Sequence, residues 1–431
     1  MKKDKNKINL LKLFQEKDKF LEGRIKKGIE KNRKGLATIT IVDMDNNPIK
    51  KADIEVKQIS HDFQFGCNLF MLGCHEMEED SNNYKEAFKN LFNLGIAPFY
   101  WSDLEPEPNR PRFSSDSEYI YRRPAPDTIL DYCDNNNIDV KGHPLLWHNY
   151  FPEWLPSDKE KVKSYIVKRF KEIAEKYQDR IYTWDVVNET LTHHNRPDVI
   201  LPENYVEWCF EEAEKYFPYN KLMLNEVTQP WWNFNNEYSP YYMLIENQLL
   251  KGSRIDGIGL QYHLFMNKKG IYNRRDSVLN PEHLFKMLDR YSDFNLPIHI
   301  SEITVPTFGD DEKAEQEQAE IVKNLYRIWF SQSQVEAIVW WNLYDGSALN
   351  HEDKWGGGLL RKDFSPKPSY KILKDLINNR WKTELNYEKE NNIKFKGFYG
   401  NYKIKVKHKG KEVEKEFHLS ETSPNKFDIK I

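Results

Sequence analysis

A chain of 431 residues is long enough to bury a large core, as one barrel domain with an accessory piece. Its 64 basic and 67 acidic side chains leave a formal net charge of −3, which argues against nucleic acid or an anionic membrane as partner. Cys67, Cys74, Cys133 and Cys209 are too few for a disulfide framework, and no C-x-x-C or Cys/His cluster suggests a metal. The start, "MKKDKNKINLLKLFQEKDKF", lacks the apolar stretch of a signal peptide, and no apolar run approaches the roughly 18 residues of a membrane span. A soluble cytoplasmic protein is the expectation, with a secreted protein whose leader was trimmed as the alternative.

Residues 1–34 are polar and helical in character. The next segment, 35–62, alternates apolar and polar residues around the D-N-N-P turn at 45–48, which predicts a β-hairpin. From residue 63 to 380 short apolar runs alternate with longer amphipathic stretches, the pattern of repeated βα units. Eight strands are predicted at 64–70, 94–100, 138–147, 181–188, 221–227, 256–263, 297–302 and 336–342, with helical segments such as "DKEKVKSYIVKRFKEIAEKYQ" between them. Eight such units predict an α/β fold, a (β/α)8 TIM barrel, and no Gly-rich phosphate loop favours a doubly wound sheet instead. Residues 381–431 return to β character. Since the first strand enters a βα barrel and the last helix leaves it at one end, 35–62 and 381–431 are expected to form one small β domain there. Its expected part is a structural brace, with carbohydrate binding as the alternative.

Polar residues gather at the ends of the predicted strands. The third ends in His143, Trp147 and His148, the fourth in Asn188 and Glu189, and the fifth in Asn225 and Glu226. The sixth carries Gln261 and His263, the seventh Glu302, and the eighth Trp341 with Asp345 beyond. Catalytic groups of such barrels lie at that rim. A strand-end Glu also serves as a cap for a following helix, but six strands with one bias point to a site. Glu189 and Glu302, on opposite walls, suggest glycoside hydrolysis by a carboxylate pair, and a metal bound by His143, His148 and His263 is the competing idea. The aromatic pairs at 100–101, 231–232 and 340–341 are expected to serve as ring platforms in the cleft.

At these residues the sequence resembles glycoside hydrolase family 10, the retaining endo-β-1,4-xylanases. "KGHPLLWHNYFPEWL" is similar to the family's G-H-T-L-x-W-H segment, and "WDVVNE" matches its acid/base motif. "GIGLQYH", "HISEITV", "WNLYDG" and "GGGLLRKDFSPKPSY" resemble, in order, its G-x-G-x-Q-x-H strand, its nucleophile strand, its W-G-x-x-D loop and its closing segment. The likeness runs from about residue 63 to 378. It implies Glu189 as general acid/base and Glu302 as nucleophile, their carboxyl groups about 5–5.5 Å apart. It further implies that Asn188 holds a sugar 2-hydroxyl, that His263 hydrogen-bonds Glu302, and that Gln261 orients Glu189. His143 would contact the sugar, Trp147 and Trp341 would form its floor and wall, and Tyr100 and Trp101 would line the cleft.

The segment "GIAPFYWSDLEPE" departs from the family's T-x-E-N-x-M-K-W, with Ala97 and Tyr100 at its Asn and Lys positions. Tyr150 stands where a glutamine is usual, and Trp355 is the only counterpart for a second Trp in the last loop. The expected activity is endo-acting cleavage of β-1,4-xylan or xylo-oligosaccharides by double displacement, with no cofactor and no metal. The same mechanism on another β-glycan, or a catalytically weak carbohydrate-binding barrel, are the alternatives. The sequence leaves the oligomeric state open.

Overall fold

The computed structural model describes residues 8–192, 196–309 and 311–431. Two strands, β1 (Lys34–Val42) and β2 (Ala52–Gln58), follow the helices Lys12–Glu16 and Asp18–Asn32. Then come the eight strands predicted: β3 (Gln64–Asn68), β4 (Leu94–Pro98), β5 (Asp139–His143), β6 (Thr183–Asn188), β7 (Lys221–Glu226), β8 (Gly257–His263), β9 (Ile298–Thr304) and β10 (Val335–Trp340). They pair in chain order, and β10 returns to β3 to close the barrel. All neighbouring pairs are parallel, so every strand is covered by helices outside and by side chains within. For that reason β6 and β9 are buried at every position, where a half-exposed strand would alternate.

Among the register shifts of the barrel, two bear on its mouth. Along β6, Asp185 and Val187 face Met223 and Leu224, two steps against one. Along β9, His299 and Glu302 face Gly259 and Gln261, three steps against two. A bulge of this kind shifts the alternation of side chains, so residues that a regular strand would send to opposite faces share one.

The chain ends in β11 (Glu384–Glu390), β12 (Asn392–Phe398), β13 (Gly400–His408), β14 (Lys411–Leu419) and β15 (Lys426–Lys430). Here the structure corrects the expected hairpin. β1 and β2 join different sheets, ordered β12-β1-β15 and β11-β2-β13-β14. One reason is that both strands have an apolar face: Ala37, Ile39 and Ile41 on β1, and Ile54 and Val56 on β2. Packed as two layers these faces bury each other; paired edge to edge they would remain half covered. The sandwich meets the barrel at the end where the strands begin. Arg33 donates to the carbonyls of Phe330 and Gln332, just ahead of β10, and of Val335, its first residue. Helix Asp18–Asn32 closes on the helix Glu312–Ser331, where a Cβ on Gly28 would lie 2.4 Å from the Ser331 carbonyl oxygen. No aromatic ring of the sandwich stands fully exposed among the described residues, and Lys405 and Lys407 of its outer face pair with Glu412 and Glu414. Among the described residues no helix is long and apolar enough to cross a membrane.

Candidate active site

The bulges decide which side chains meet inside the barrel mouth. In β6, Asp185 and Asn188 are three residues apart and would face opposite ways in a regular strand, yet both turn inward to contact His143 and Asn225. In β9 the neighbours Ser301 and Glu302 both reach Asn225. Asn225 stands between them: its Nδ2 donates to Asn188 Oδ1 at 2.7 Å and to Glu302 Oε1 at 2.9 Å, and its Oδ1 accepts from Ser301 at 2.6 Å. Gly259 leaves room for it, since a Cβ there would fall 2.0 Å from Asn225 Oδ1. The amide nitrogen of Asn188 is buried without a partner and remains as a donor.

Glu189 follows the last residue of β6 with φ +54, in the left-handed region that a non-glycine residue seldom occupies. It does not cap a helix, because the next helix among the described residues begins at Tyr205. Gln261 Nε2 donates to Glu189 Oε1 at 3.0 Å and to Glu302 Oε1 at 3.1 Å, so one amide ties the two carboxyl groups together. Glu302 Oε2 lies 3.1 Å from His263 Nε2, and the other ring nitrogen of His263 lies 3.0 Å from Thr304 Oγ1. Burial, and after it the charge of Glu302, pushes the Glu189 carboxyl up to about 8. Its edge toward the cleft stays partly open.

Beneath the pair runs a polar ladder that strand periodicity did not reveal. Lys141 and His143, two apart on β5, both face inward and both hold Asp185, at 2.7 and 2.8 Å. Burial opposes ionisation of Asp185, but the charge of Lys141 and the contacts with His143 outweigh it and keep its carboxyl below the usual range. With Nδ1 so engaged, His143 aims Nε2 at Glu302 Oε1, 3.7 Å away. Glu226 turns aside: it accepts from Thr190, Leu191 and Val227 and braces the loop that carries Glu189. Asp345 likewise anchors a loop, through Lys367 and the Gly358 amide.

The cavity above the pair, about 240 Å³, is walled by Tyr100, Trp147, Tyr150 and Trp341. Tyr150 packs between its neighbours, ring centroids 4.5 Å from Tyr100 and 4.7 Å from Trp147. Of each predicted aromatic pair at most one member faces this space. Trp101 is buried behind the wall, donating to Glu105 Oε2 at 2.9 Å, and does not line the cleft as expected. Trp340 donates to the carbonyls of Asn342 and Gly357, and Trp231 to that of Gln261. Both are framework. Trp355 is absent from the lining; Leu349, His351 and Glu352 close the last loop instead. His148 sits near Thr192, not beside His143 and His263. The sequence reading also passed over Arg122 and Arg123, which line the cavity from a loop with no periodic signal.

The model of Glycosyl hydrolase family 10 matches residues 49–376. The chain belongs to glycosyl hydrolase family 10. It is therefore a glycoside hydrolase, and the barrel and the rim just described are the family's fold in this chain. Among family relatives it is 27% identical over 326 residues to endo-1,4-beta-xylanase B of Thermotoga neapolitana, covering 70% of this chain and 86% of that protein. It is 26% identical over 391 residues to anti-sigma-I factor RsgI6 of Acetivibrio thermocellus, covering 89% of this chain but 46% of that longer protein. The fold matches the structure of xylanase 10B from Thermotoga petrophila in complex with xylobiose, with a TM-score of 0.61 and 23% identity over 74% of this chain and 95% of that one.

Proposed function

We propose that this family member is a retaining endo-β-1,4-xylanase acting on xylan or xylo-oligosaccharides by double displacement. The observation that carries the mechanism is the single amide between the two glutamates. With Gln261 Nε2 at 3.0 and 3.1 Å, the nearest oxygens of Glu189 and Glu302 lie no further apart than the sum of those contacts. A donor shared in this way draws the two carboxyl groups together, which supports the retaining arrangement, with groups about 5–5.5 Å apart, over the wider inverting one that holds a water between them. Glu189 holds a proton at neutral pH and gives it to the glycosidic oxygen, while a Glu302 oxygen attacks the anomeric carbon and the glycosidic bond breaks. Water then attacks the glycosyl–Glu302 ester; Glu189, now a carboxylate, takes its proton and Glu302 leaves. Asn188 Nδ2, unpartnered beside Glu302, supplies the donor for the sugar 2-hydroxyl.

The substrate assignment is supported by the relatives' names and by a cleft walled with rings that fit the apolar faces of sugars. Glu302→Ala should abolish release of reducing ends from xylan while circular dichroism stays unchanged; activity near wild type would remove Glu302 from the nucleophile's place. Proton NMR of the first product formed should show the β anomer, and an α anomer would reject the retaining course. Ala97 and Tyr100 favour one second reading, the same chemistry on a different β-glycan. A polysaccharide panel scored by reducing ends separates the two.

A further inference from the structure

Arg122 lies on the loop between the helices Trp101–Leu104 and Pro126–Asp134, with backbone φ +61. Its side chain lines the cavity that holds Glu189 and Glu302, yet the residue is only 2% exposed. Nη2 donates to Asn342 Oδ1 at 3.0 Å, and Nε and Nη1 have no acceptor. A buried guanidinium with idle N–H groups is unfavourable and rare, and a residue held in left-handed backbone adds to that. Such an arrangement persists where a ligand completes it.

The charges around it select the ligand. Asn342 Nδ2 donates to Glu352 Oε2 at 3.0 Å, so one amide joins Arg122 to a carboxylate on the same cavity wall. Arg123 is committed elsewhere: it pairs with Asp103 at 2.7 Å and lies over the Tyr100 ring. Glu352 and Glu302 would both repel an anion. A hydroxyl, which donates and accepts at once, takes a hydrogen bond from Arg122 and returns one to the acidic side of the wall. We propose that Arg122, with Glu352 set beside it by Asn342, forms a recognition site for a neutral hydroxyl of the sugar chain bound next to the catalytic pair. The inference rests on the glycan-cleaving reading above and adds a specificity residue to it.

The test uses an aryl β-xylobioside and its monodeoxy analogues with the full chain. Arg122→Met should lower kcat/KM about tenfold to a hundredfold, with Arg122→Lys recovering part of the loss. One deoxy analogue should be poorer for the wild type by a similar factor and equally good, within about twofold, for Arg122→Met. A purely structural residue would depress all analogues alike, and that additive pattern overturns the proposal, as does a variant indistinguishable from wild type. Should Arg122→Met not fold, Glu352→Gln must show the same loss of discrimination at the same hydroxyl, and its absence counts equally against the site. A uronate-bearing xylo-oligosaccharide is the charged arm: selective loss there, with the plain substrate spared, means an anion site and rejects the hydroxyl. Wild-type protein inert toward the xylobioside would overturn the function reading and this one with it. Active wild type with an unaffected Arg122→Met overturns this one alone.

Discussion

The proton on Glu189 is set by its surroundings. Burial, reinforced by the charge of Glu302, carries its carboxyl from an ordinary 4.5 to about 8. Activity that needs that proton should therefore fall as pH rises through about 8, and kcat/KM on a neutral oligosaccharide should show that alkaline limb. In Glu189→Gln the limb should vanish, with kcat on substrates of poor leaving group down by about 10²–10⁴. The same shift has a sign in stability. The folded protein keeps the proton while the unfolded chain loses it near 4.5, so stability present at acid pH is lost as pH climbs to about 8. Thermal melts should show Glu189→Gln gaining on wild type across that window and holding its lead above it. Equal melting curves throughout would contradict the raised carboxyl.

At the scale of the element, the bulges in β6 and β9 are what bring the polar side chains of the rim together. Strand patterning marked which segments are strands because a two-faced burial reads as an unbroken apolar run. It could not show that Ser301 and Glu302 face one way, since an extra residue leaves no mark in the pattern. Nor did the spacing reveal Asn225 as the post on which Asn188, Ser301 and Glu302 hang. Gly259→Ala tests the arrangement. Its new Cβ meets Asn225 Oδ1 at 2.0 Å, so Asn225 must move, at an overpacking cost of about 1–3 kcal/mol. Steady-state kinetics should show kcat down by at least about tenfold with KM little changed; an unaffected kcat would mean that Asn225 does not position Glu302. Arg122 was missed for a similar reason: it belongs to a loop, where neither period nor strand end points to a site.

Across the whole molecule, two ends of the chain build a sandwich on the face of the barrel away from the site. Its outer surface carries paired lysines and glutamates. Tyr402 is fully buried, stacked on Phe417 with ring centroids 5.1 Å apart, its hydroxyl donating to the Phe398 carbonyl at 2.6 Å. Tyr402→Ala should destabilise the protein by about 3–5 kcal/mol, seen as a lower Tm, while kcat/KM on a soluble oligosaccharide holds below that temperature. A fall in kcat/KM would tie the sandwich to the cleft. From the sequence alone came the eight strands, their order and the rim residues Glu189, Gln261, His263 and Glu302, because burial and strand ends are local properties written into the chain. The tertiary structure alone decided that β1 and β2 part into two sheets, that Trp101 and Trp231 are framework, and that Lys141, Asp185 and Asn225 support the pair. Those depend on which faces meet across long separations, and no periodicity within a segment records its partner.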